Sequence, residues 1–480
     1  MSDKKSKPGS LLGNEATGGE IAEHGLSFQE AMLLARVPVW LAQSRFSQAI
    51  REALGDTEAR FFVPGRGNWR EFNEYKDHRL TPSEFWPEIS HFLELEQAHP
   101  GAYRAYRLVC PEVNEDLRAL CRALDRARRA LPFYDGVSSI HDGTFDELVE
   151  KVMDGSTRDR AYAEFVFKMV EIDFEAPRKL ELALASFRDS LERHIPESCA
   201  LNSTQVAAIR AALGALIASR VAEPVTRLEL VETIRAAAPG VQFPTLGRTR
   251  LFTASESESR WVERPELVLD WERFSGRGAR DFPGADDWRA GLEELAQTSD
   301  WVRSSGAPRL IRLEGTRRLS ASVAIGSAFS ATGGFAIEVE NHGAFLRTNQ
   351  HADADTPAYD WGAEEGGSEQ ADEIAVVLSV KRVIADDVRG FLGSLPLELV
   401  LHSSDAMVSA DQINLAVEEA KQRISSVVSR TGASVVHLFL AVPGPFALFL
   451  GHRLNATCTI QCYEHTGGAN YAPTFRIPCT

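Results

Sequence analysis

With 480 residues, 44% hydrophobic and 25% charged, the chain has room for two or three domains, each with its own core. A formal net charge of −16 excludes non-specific nucleic-acid binding by the surface as a whole, so any contact with DNA needs a local basic stripe. No apolar run approaches the roughly 20 residues that cross a bilayer, and the cysteines are too few and scattered for a disulfide framework. A cytoplasmic protein without membrane segments is therefore expected.

The opening MSDKKSKPGS lacks an apolar stretch, and residues 1–20 are expected as a disordered tail rather than a secretory signal. Ser27-Phe28-Gln29-Glu30 has capping-box spacing and predicts a helix start, with Pro38 interrupting or ending that helix. Residues 56–78 read as a β-hairpin around the turn signal Pro64-Gly65-Arg66-Gly67-Asn68. Thr81-Pro82-Ser83-Glu84 then opens a helix with Phe85, Ile89 and Phe92 at helical spacing. Residues 106–110 form a short strand ended by Pro111. From about 150 to 245 the pattern is helical, and from about 252 to 305 it reads as a polar, acidic connector. Beyond it, 374–380, 397–401, 435–442 and 457–463 are apolar runs of strand length. Ile413, Val417, Ala420, Ile424 and Val427 make one face of a helix between them. This alternation predicts a largely parallel sheet covered on both sides, with room for two related halves. Residues 351–372, acidic and Gly-rich, are expected as an exposed loop.

Strand alternation puts Arg70, Phe72, Glu74 and Lys76 on one side of the hairpin. A turn centred on Arg66 sets Glu58 opposite Glu74 and Asp56 opposite Lys76. Opposed carboxylates stand roughly 5 Å apart and repel, a penalty that a divalent cation removes. Magnesium suits such hard oxygen ligands. Glu58 and Glu74 would hold it, with Asp56 the other hairpin candidate, and Lys76 would orient the attacking water in phosphodiester hydrolysis. The competing reading is a solvated hairpin with a surface Glu–Lys pair. Downstream, Arg118, Arg122, Arg126 and Arg129 line one helix face. That stripe either tracks the phosphates of a duplex or is paired off against Glu115 and Asp125.

Two later loops follow strands: His402-Ser403-Ser404-Asp405 and Pro443-Gly444-Pro445-Phe446. Helix N-termini and the carboxyl ends of parallel strands attract anions, so Ser403, Ser404, Pro443, Gly444 and Phe446 are candidate contacts for a phosphate-bearing ligand. Ordinary strand-to-helix connections are the alternative. Cys458 and Cys462, four residues apart on a strand, lie roughly 13 Å apart and cannot share a zinc ion, so they read as core.

The acidic hairpin strand, Glu74-Tyr75-Lys76 and the following helix with Phe85-Trp86 resemble the PD-(D/E)xK nuclease superfamily. With Gly25-Leu26-Ser27-Phe28-Gln29 upstream, they resemble the endonuclease domain fused to SAVED sensors in bacterial anti-phage defence. That resemblance implies a first-helix residue beside the metal, Gln29 or Glu30 here, the capping box being the other reading of Glu30. Leu438-Phe439-Leu440-Ala441-Val442-Pro443, Gly451-His452-Arg453-Leu454, Tyr463-Glu464 and Tyr471-Ala472-Pro473 resemble the closing signature of SAVED domains. Tyr463 joins the ligand candidates on that ground. Most of the chain is thus similar to the CD-NTase-associated protein 4 family of CBASS effectors.

The resemblance implies an α/β multidomain chain. A PD-(D/E)xK-like core at 21–150 would precede a helical extension at 151–245 and a SAVED sensor at 250–480, built of two fused CARF-like, Rossmann-type units. It implies a cyclic oligonucleotide activator, a cyclic trinucleotide above all, ligand-driven self-association, and Mg2+-dependent cleavage of double-stranded DNA. A rival expectation, motivated by the unusual Asp56/Glu58 position, is a sensor or scaffold whose nuclease-like domain is inactive or repurposed.

Overall fold

The computed structural model describes residues 14–134, 137–153, 158–177, 180–254, 264–274, 283–350, 356–407, 409–454 and 458–478. The chain divides into two units, Met1–Gly247 with Ser259–Pro265, and Arg248–Glu258 with Glu266–Thr480. Among the described residues no helix is long and apolar enough to cross a membrane.

The first unit opens with α1 (Asn14–Leu41), β1 (Phe46–Arg51), β2 (Thr57–Val63), β3 (Gly67–Tyr75), β4 (Arg79–Leu80), α2 (Pro82–Ala98), β5 (Tyr103–Val109) and β6 (Glu112–Val113). It continues with α3 (Glu115–Ala130), α4 (Ser138–Met153), α5 (Arg160–Met169), β7 (Val170–Asp173), α6 (Leu180–His194), α7 (Ser203–Ala218), β8 (Val225–Thr226) and α8 (Arg227–Ala237). Its main sheet has the order β7-β5-β3-β2-β1-β8, antiparallel from β3 to β8 and parallel from β3 to β7. The segment 151–245 therefore is not a separate helical extension, because its two short strands form both edges of this sheet.

Each face of β3 meets a different helix. On one, the Phe72 ring packs against Phe92 of α2 at 5.4 Å and Tyr106 of β5 at 5.9 Å. On the other, fully buried Glu71 accepts from Arg36 through both oxygens (3.1 and 2.9 Å) and from Trp40 Nε1 at 3.2 Å, both on α1. Burial opposes the Glu71 charge, but Arg36, Arg107 and Arg104 outweigh it and hold its pKa at about 2. These anchors lie on either side of Pro38, which sits inside α1 instead of ending it. The helix also begins well before Ser27, so the expected start there is wrong: one cap-like spacing yields to a longer continuous helix.

The second unit runs β9 (Thr249–Ala254), β10 (Leu267–Asp270), α9 (Ala285–Ser304), β11 (Leu310–Gly315), α10 (Leu319–Ala328), β12 (Ala336–Asn341), β13 (Ala344–Arg347) and β14 (Gly362–Glu365). Then come β15 (Glu373–Val380), α11 (Ala385–Leu392), β16 (Leu397–Ser403), α12 (Ala410–Thr431), β17 (Val435–Ala441), α13 (Gly444–Arg453), β18 (Thr459–Gly467) and β19 (Asn470–Ile477). The expected helical face of α12, from Ile413 to Val427, is buried throughout. The expected connector at 252–305 instead carries β10 and α9, while 255–263 and 275–282 lie outside the described residues. Asp286, Asp287 and Glu293 made α9 look like linker, yet its inner face buries Trp288, Leu295 and Val302. Within 351–372, Gly362–Glu365 is an exposed edge strand, and 351–355 lies outside the described residues.

Two sheets, β10-β9-β11-β12-β13 and β14-β16-β15-β17-β18-β19, repeat one topology. In each, the first strand of a parallel set lies between the second and the third, and the third feeds a helix: β11 into α10, β17 into α13. These two helices meet through matched glycines. A Cβ at Gly326 would strike the carbonyl oxygen of Leu448 and stand 2.7 Å from His452 N, and one at Gly451 would strike that of Val323. Gly326→Ala is therefore expected to destabilise the second unit by about 1–3 kcal/mol. Chemical denaturation checks this, and an unchanged midpoint would contradict the close approach.

Candidate functional site

Hairpin geometry follows from its turn. Gly65 and Gly67 take positive φ (71° and 84°), so Pro64-Gly65-Arg66 is a three-residue turn and Val63 pairs with Gly67. The turn centre is one residue earlier than expected, which moves every partner by two. Glu58 faces Phe72, not Glu74, and extending the ladder past Thr57↔Asn73 puts Asp56 at the level of Glu74. Glu58 is instead satisfied inside the sheet, accepting from Leu54 N at 3.2 Å and Tyr103 OH at 3.1 Å. The expected Glu58–Glu74 pairing is thus corrected to Asp56–Glu74. A two-residue displacement changes the partner but preserves the face.

Three elements, α1, β3 and α2, converge on Asp56. Its Oδ1 accepts from Gln29 Nε2 of α1 at 2.9 Å, and its Oδ2 from the Tyr75 amide at 2.7 Å. Burial, then the neighbouring Glu74 charge, raise its pKa from 3.8 to about 6. Lys76 Nζ lies 3.0 Å from Glu74 and 2.7 Å from Glu88 of α2. Burial opposes the Lys76 charge, but these two acids prevail and raise its pKa. Glu30 lies elsewhere, since a Cβ on Gly214 of α7 would come within 2.9 Å of its Oε1. Glu88 escaped the sequence reading, although it lies one turn beyond the Glu84 of the α2 capping box.

These residues fit a magnesium ion. Asp56 and Glu74 repel each other in a half-buried setting, and a dication would reverse that repulsion. Among the described residues, no group of three or more His, Cys, Asp or Glu side chains forms a ready cage. Magnesium needs none, because it retains waters and takes only one or two carboxylates.

The arginine stripe divides on α3. Arg118 pairs with Glu112 at 3.0 Å and Arg129 with Asp125 at 3.0 Å, as solvated surface pairs do. Arg122 and Arg126 are exposed and have no carboxylate partner among the described residues.

In the second unit, Ser403 and Ser404 lie at the carboxyl end of β16, and Pro443 and Gly444 at that of β17, one strand away across β15. Ser403 is buried, with its Oγ accepting from Asp405 N at 3.2 Å, while Ser404 is exposed. Phe446 and Tyr463 do not present their side chains at this edge. Phe446 is fully buried, its ring 5.8 Å from that of Trp361. Tyr463 sits mid-strand, stacked on Phe439 at 4.4 Å, with its hydroxyl 2.8 Å from His437 Nδ1. Proximity in sequence to a loop or motif does not fix side-chain direction. Cys458 and Cys462 are buried.

Comparison with known proteins bears on both units. The SAVED family model, "SMODS-associated and fused to various effectors sensor domain", matches residues 294–477. A CD-NTase-associated protein 4 from an Acinetobacter species is 31% identical over 472 residues, 98% of this chain and 99% of that protein. The chain belongs to the CD-NTase-associated protein 4 family. A Moraxella osloensis relative of the same name is 28% identical over 98% of the chain. Among solved structures, the Acinetobacter baumannii Cap4 SAVED/CARF-domain containing receptor with the cyclic trinucleotide 2'3'3'-cAAA superposes with a TM-score of 0.80 at 29% identity, covering 94% of this chain and 98% of that one. The same receptor with 3'3'3'-cAAA matches with a TM-score of 0.80 at 28% identity, covering 95% and 99%.

The raised Asp56 pKa has a consequence for stability. A carboxyl whose folded pKa exceeds its unfolded value favours the fold below about pH 4, and that contribution is lost as pH rises through about 6. Metal-free Asp56→Asn is therefore expected to be more stable than wild type at pH 7.5, with the advantage disappearing at pH 4. The shift corresponds to roughly 3 kcal/mol, which solvent at this half-buried group reduces to on the order of 1 kcal/mol. Thermal unfolding at the two pH values tests it, and a destabilised variant at pH 7.5 would contradict it.

Proposed function

We propose that the chain is a cyclic-oligonucleotide-activated, Mg2+-dependent endonuclease that cleaves double-stranded DNA as a cytoplasmic CBASS effector. The observation that carries this reading is the convergence of Gln29, Asp56, Glu74 and Lys76 at one end of a hairpin. It stands in a chain similar to a solved receptor that holds cyclic trinucleotides in two structures.

Asp56 and Glu74 would hold the ion. When bound, it supplies positive charge to the phosphoryl oxygens and acidifies water for attack on phosphorus. Gln29 steadies the Asp56 carboxylate so that its free lone pairs stay directed at the site. Lys76, pinned between Glu74 and Glu88, neutralises charge developing on the phosphate and orients the attacking water. Exposed Arg122 and Arg126 give the duplex backbone a landing place beside their paired neighbours Arg118 and Arg129. Cyclic-oligonucleotide binding by the SAVED domain would drive self-association and bring several such sites onto one duplex. The scaffold alternative drew on the unusual Asp56/Glu58 position, and Asp56 at the level of Glu74 supports the nuclease reading over it.

Incubating plasmid with protein, Mg2+ and a panel of cyclic tri- and tetranucleotides is expected to give cleavage only when both messenger and metal are present. Cleavage without messenger, or none with the whole panel, would contradict the proposal. Under activating conditions Asp56→Asn, Glu74→Gln and Lys76→Ala are expected to lose at least about 100-fold in rate, whereas Glu58→Gln stays within about threefold of wild type. Sizing with and without messenger tests the self-association step.

A further inference from the structure

Both halves of the second unit have a topological switch point, where the loop after the third strand enters a helix beside the first strand. In the second half this loop is Val442-Pro443-Gly444. The matching loop of the first half, Thr316-Arg317-Arg318 between β11 and α10, carries two cations. One of them is committed. Arg318 Nε donates to the Phe274 carbonyl at 2.9 Å, and its Nη1 lies 4.0 Å from Glu464. Glu464 also accepts from Ser320 N and Oγ at 2.8 and 2.7 Å, so the α10 N-terminus already holds a carboxylate.

Arg317 differs. Its Nε is enclosed with no hydrogen-bond partner, and its Nη1 reaches only the Gly315 carbonyl two residues back, at 3.0 Å. No carboxylate stands against it among the described residues. Other enclosed arginines have more acceptors: Arg227, whose Nε is also unpartnered, donates to the Leu41 and Gln43 carbonyls, and Arg128 to those of Val166, Phe167 and Val170. Desolvation, with no anion beside it among the described residues, lowers the Arg317 pKa to about 10. Removing a guanidinium from water costs free energy unless an anion or a set of acceptors compensates. The loop is also held ready. Thr253 Oγ1 donates to the carbonyls of Glu314 (3.2 Å) and Thr316 (3.0 Å). Gly315, at φ +83°, presses so closely on Thr253 that no side chain fits there.

We propose that Arg317 grips a phosphate of the anionic ligand in the second unit, so that the β11–α10 loop supplies the charge which the β17–α13 loop lacks. The proposal rests on the sensor reading above. The phosphate is one of the phosphodiesters of a cyclic trinucleotide, and Arg317 offers it a paired, charge-assisted donor set.

Full-length wild type, Arg317→Gln and Arg317→Lys are titrated with 3'3'3'-cAAA and 2'3'3'-cAAA between 50 and 200 mM salt, and their ligand-free melting temperatures are compared. Arg317→Gln is expected to bind about 10- to 100-fold more weakly, with a salt dependence shallower by about one charge. Arg317→Lys should recover part of the loss. Ligand-free Arg317→Gln should melt no lower than wild type, because a half-buried cation held by one backbone carbonyl has been removed. Wild-type binding with Arg317→Gln affinity within twofold would overturn the role of Arg317 alone. A melting temperature several degrees lower would mark Arg317 as structural and overturn it too. Failure of wild type to bind either compound would sink the sensor reading, and the proposal with it.

Discussion

The pairing of β2 with β3 is the constraint on which the first unit turns. A three-residue turn at Gly65 sets the ladder, and the two faces of β3 then take different tasks. Glu71 points to the α1 side and fastens that helix through Arg36 and Trp40. Breaking a buried ion pair of this kind costs about 3–5 kcal/mol, because one charge is left without a partner. Glu74 points to the α2 side, toward Lys76 and Glu88. With α1 fastened, Gln29 two turns upstream of Arg36 lands against Asp56. The anchor and the polar cluster are therefore consequences of one strand register, and the cluster is the less stable of the two. Glu71 is held ionised by surplus positive charge, whereas Asp56 is pushed toward its neutral form by burial and by Glu74. Such opposed treatment of carboxylates within one sheet separates a structural ion pair from a candidate functional site.

The second unit depends on a different contact, the meeting of α10 and α13 at Gly326 and Gly451. Each glycine stands eighth in its helix and presses on the fifth residue of the other, so the two halves relate to each other in the same way. Repeated topology does not mean repeated chemistry. The first half places Arg317 and Arg318 after its third strand, and the second places Val442 and Pro443 there. A nearly symmetric scaffold thus carries different polar groups at the matching loops of its two halves.

Much of this was legible in the sequence where periodicity is strong. The α12 face, the strands from β15 to β18 and the hairpin all lie close to where pattern alone put them. Legibility failed where one residue decides. A turn centred on Gly65 rather than Arg66 exchanged Glu58 for Asp56, and turn residues alone do not distinguish the two. The charged outer face of α9 hides its buried Trp288 stripe, so β10 and α9 read as a connector. Phe446 follows the expected loop but turns into the core, and Tyr463 lies half-buried against Phe439, directions that spacing does not encode. Glu88 and Arg317 were not seen at all, because each matters through what lies near it in space or, for Arg317, through what does not.

The central claim is that strand register brings Asp56, not Glu58, to Glu74 and so creates a site for a dication. A crystal structure with Mn2+ in place of Mg2+, located by anomalous scattering, tests it most directly. The account predicts one strong peak in coordination contact with carboxylate oxygens of both Asp56 and Glu74, at about 2.2 Å, with Glu58 still bonded to Tyr103. A peak on Glu58, or none at saturating Mn2+, would contradict it.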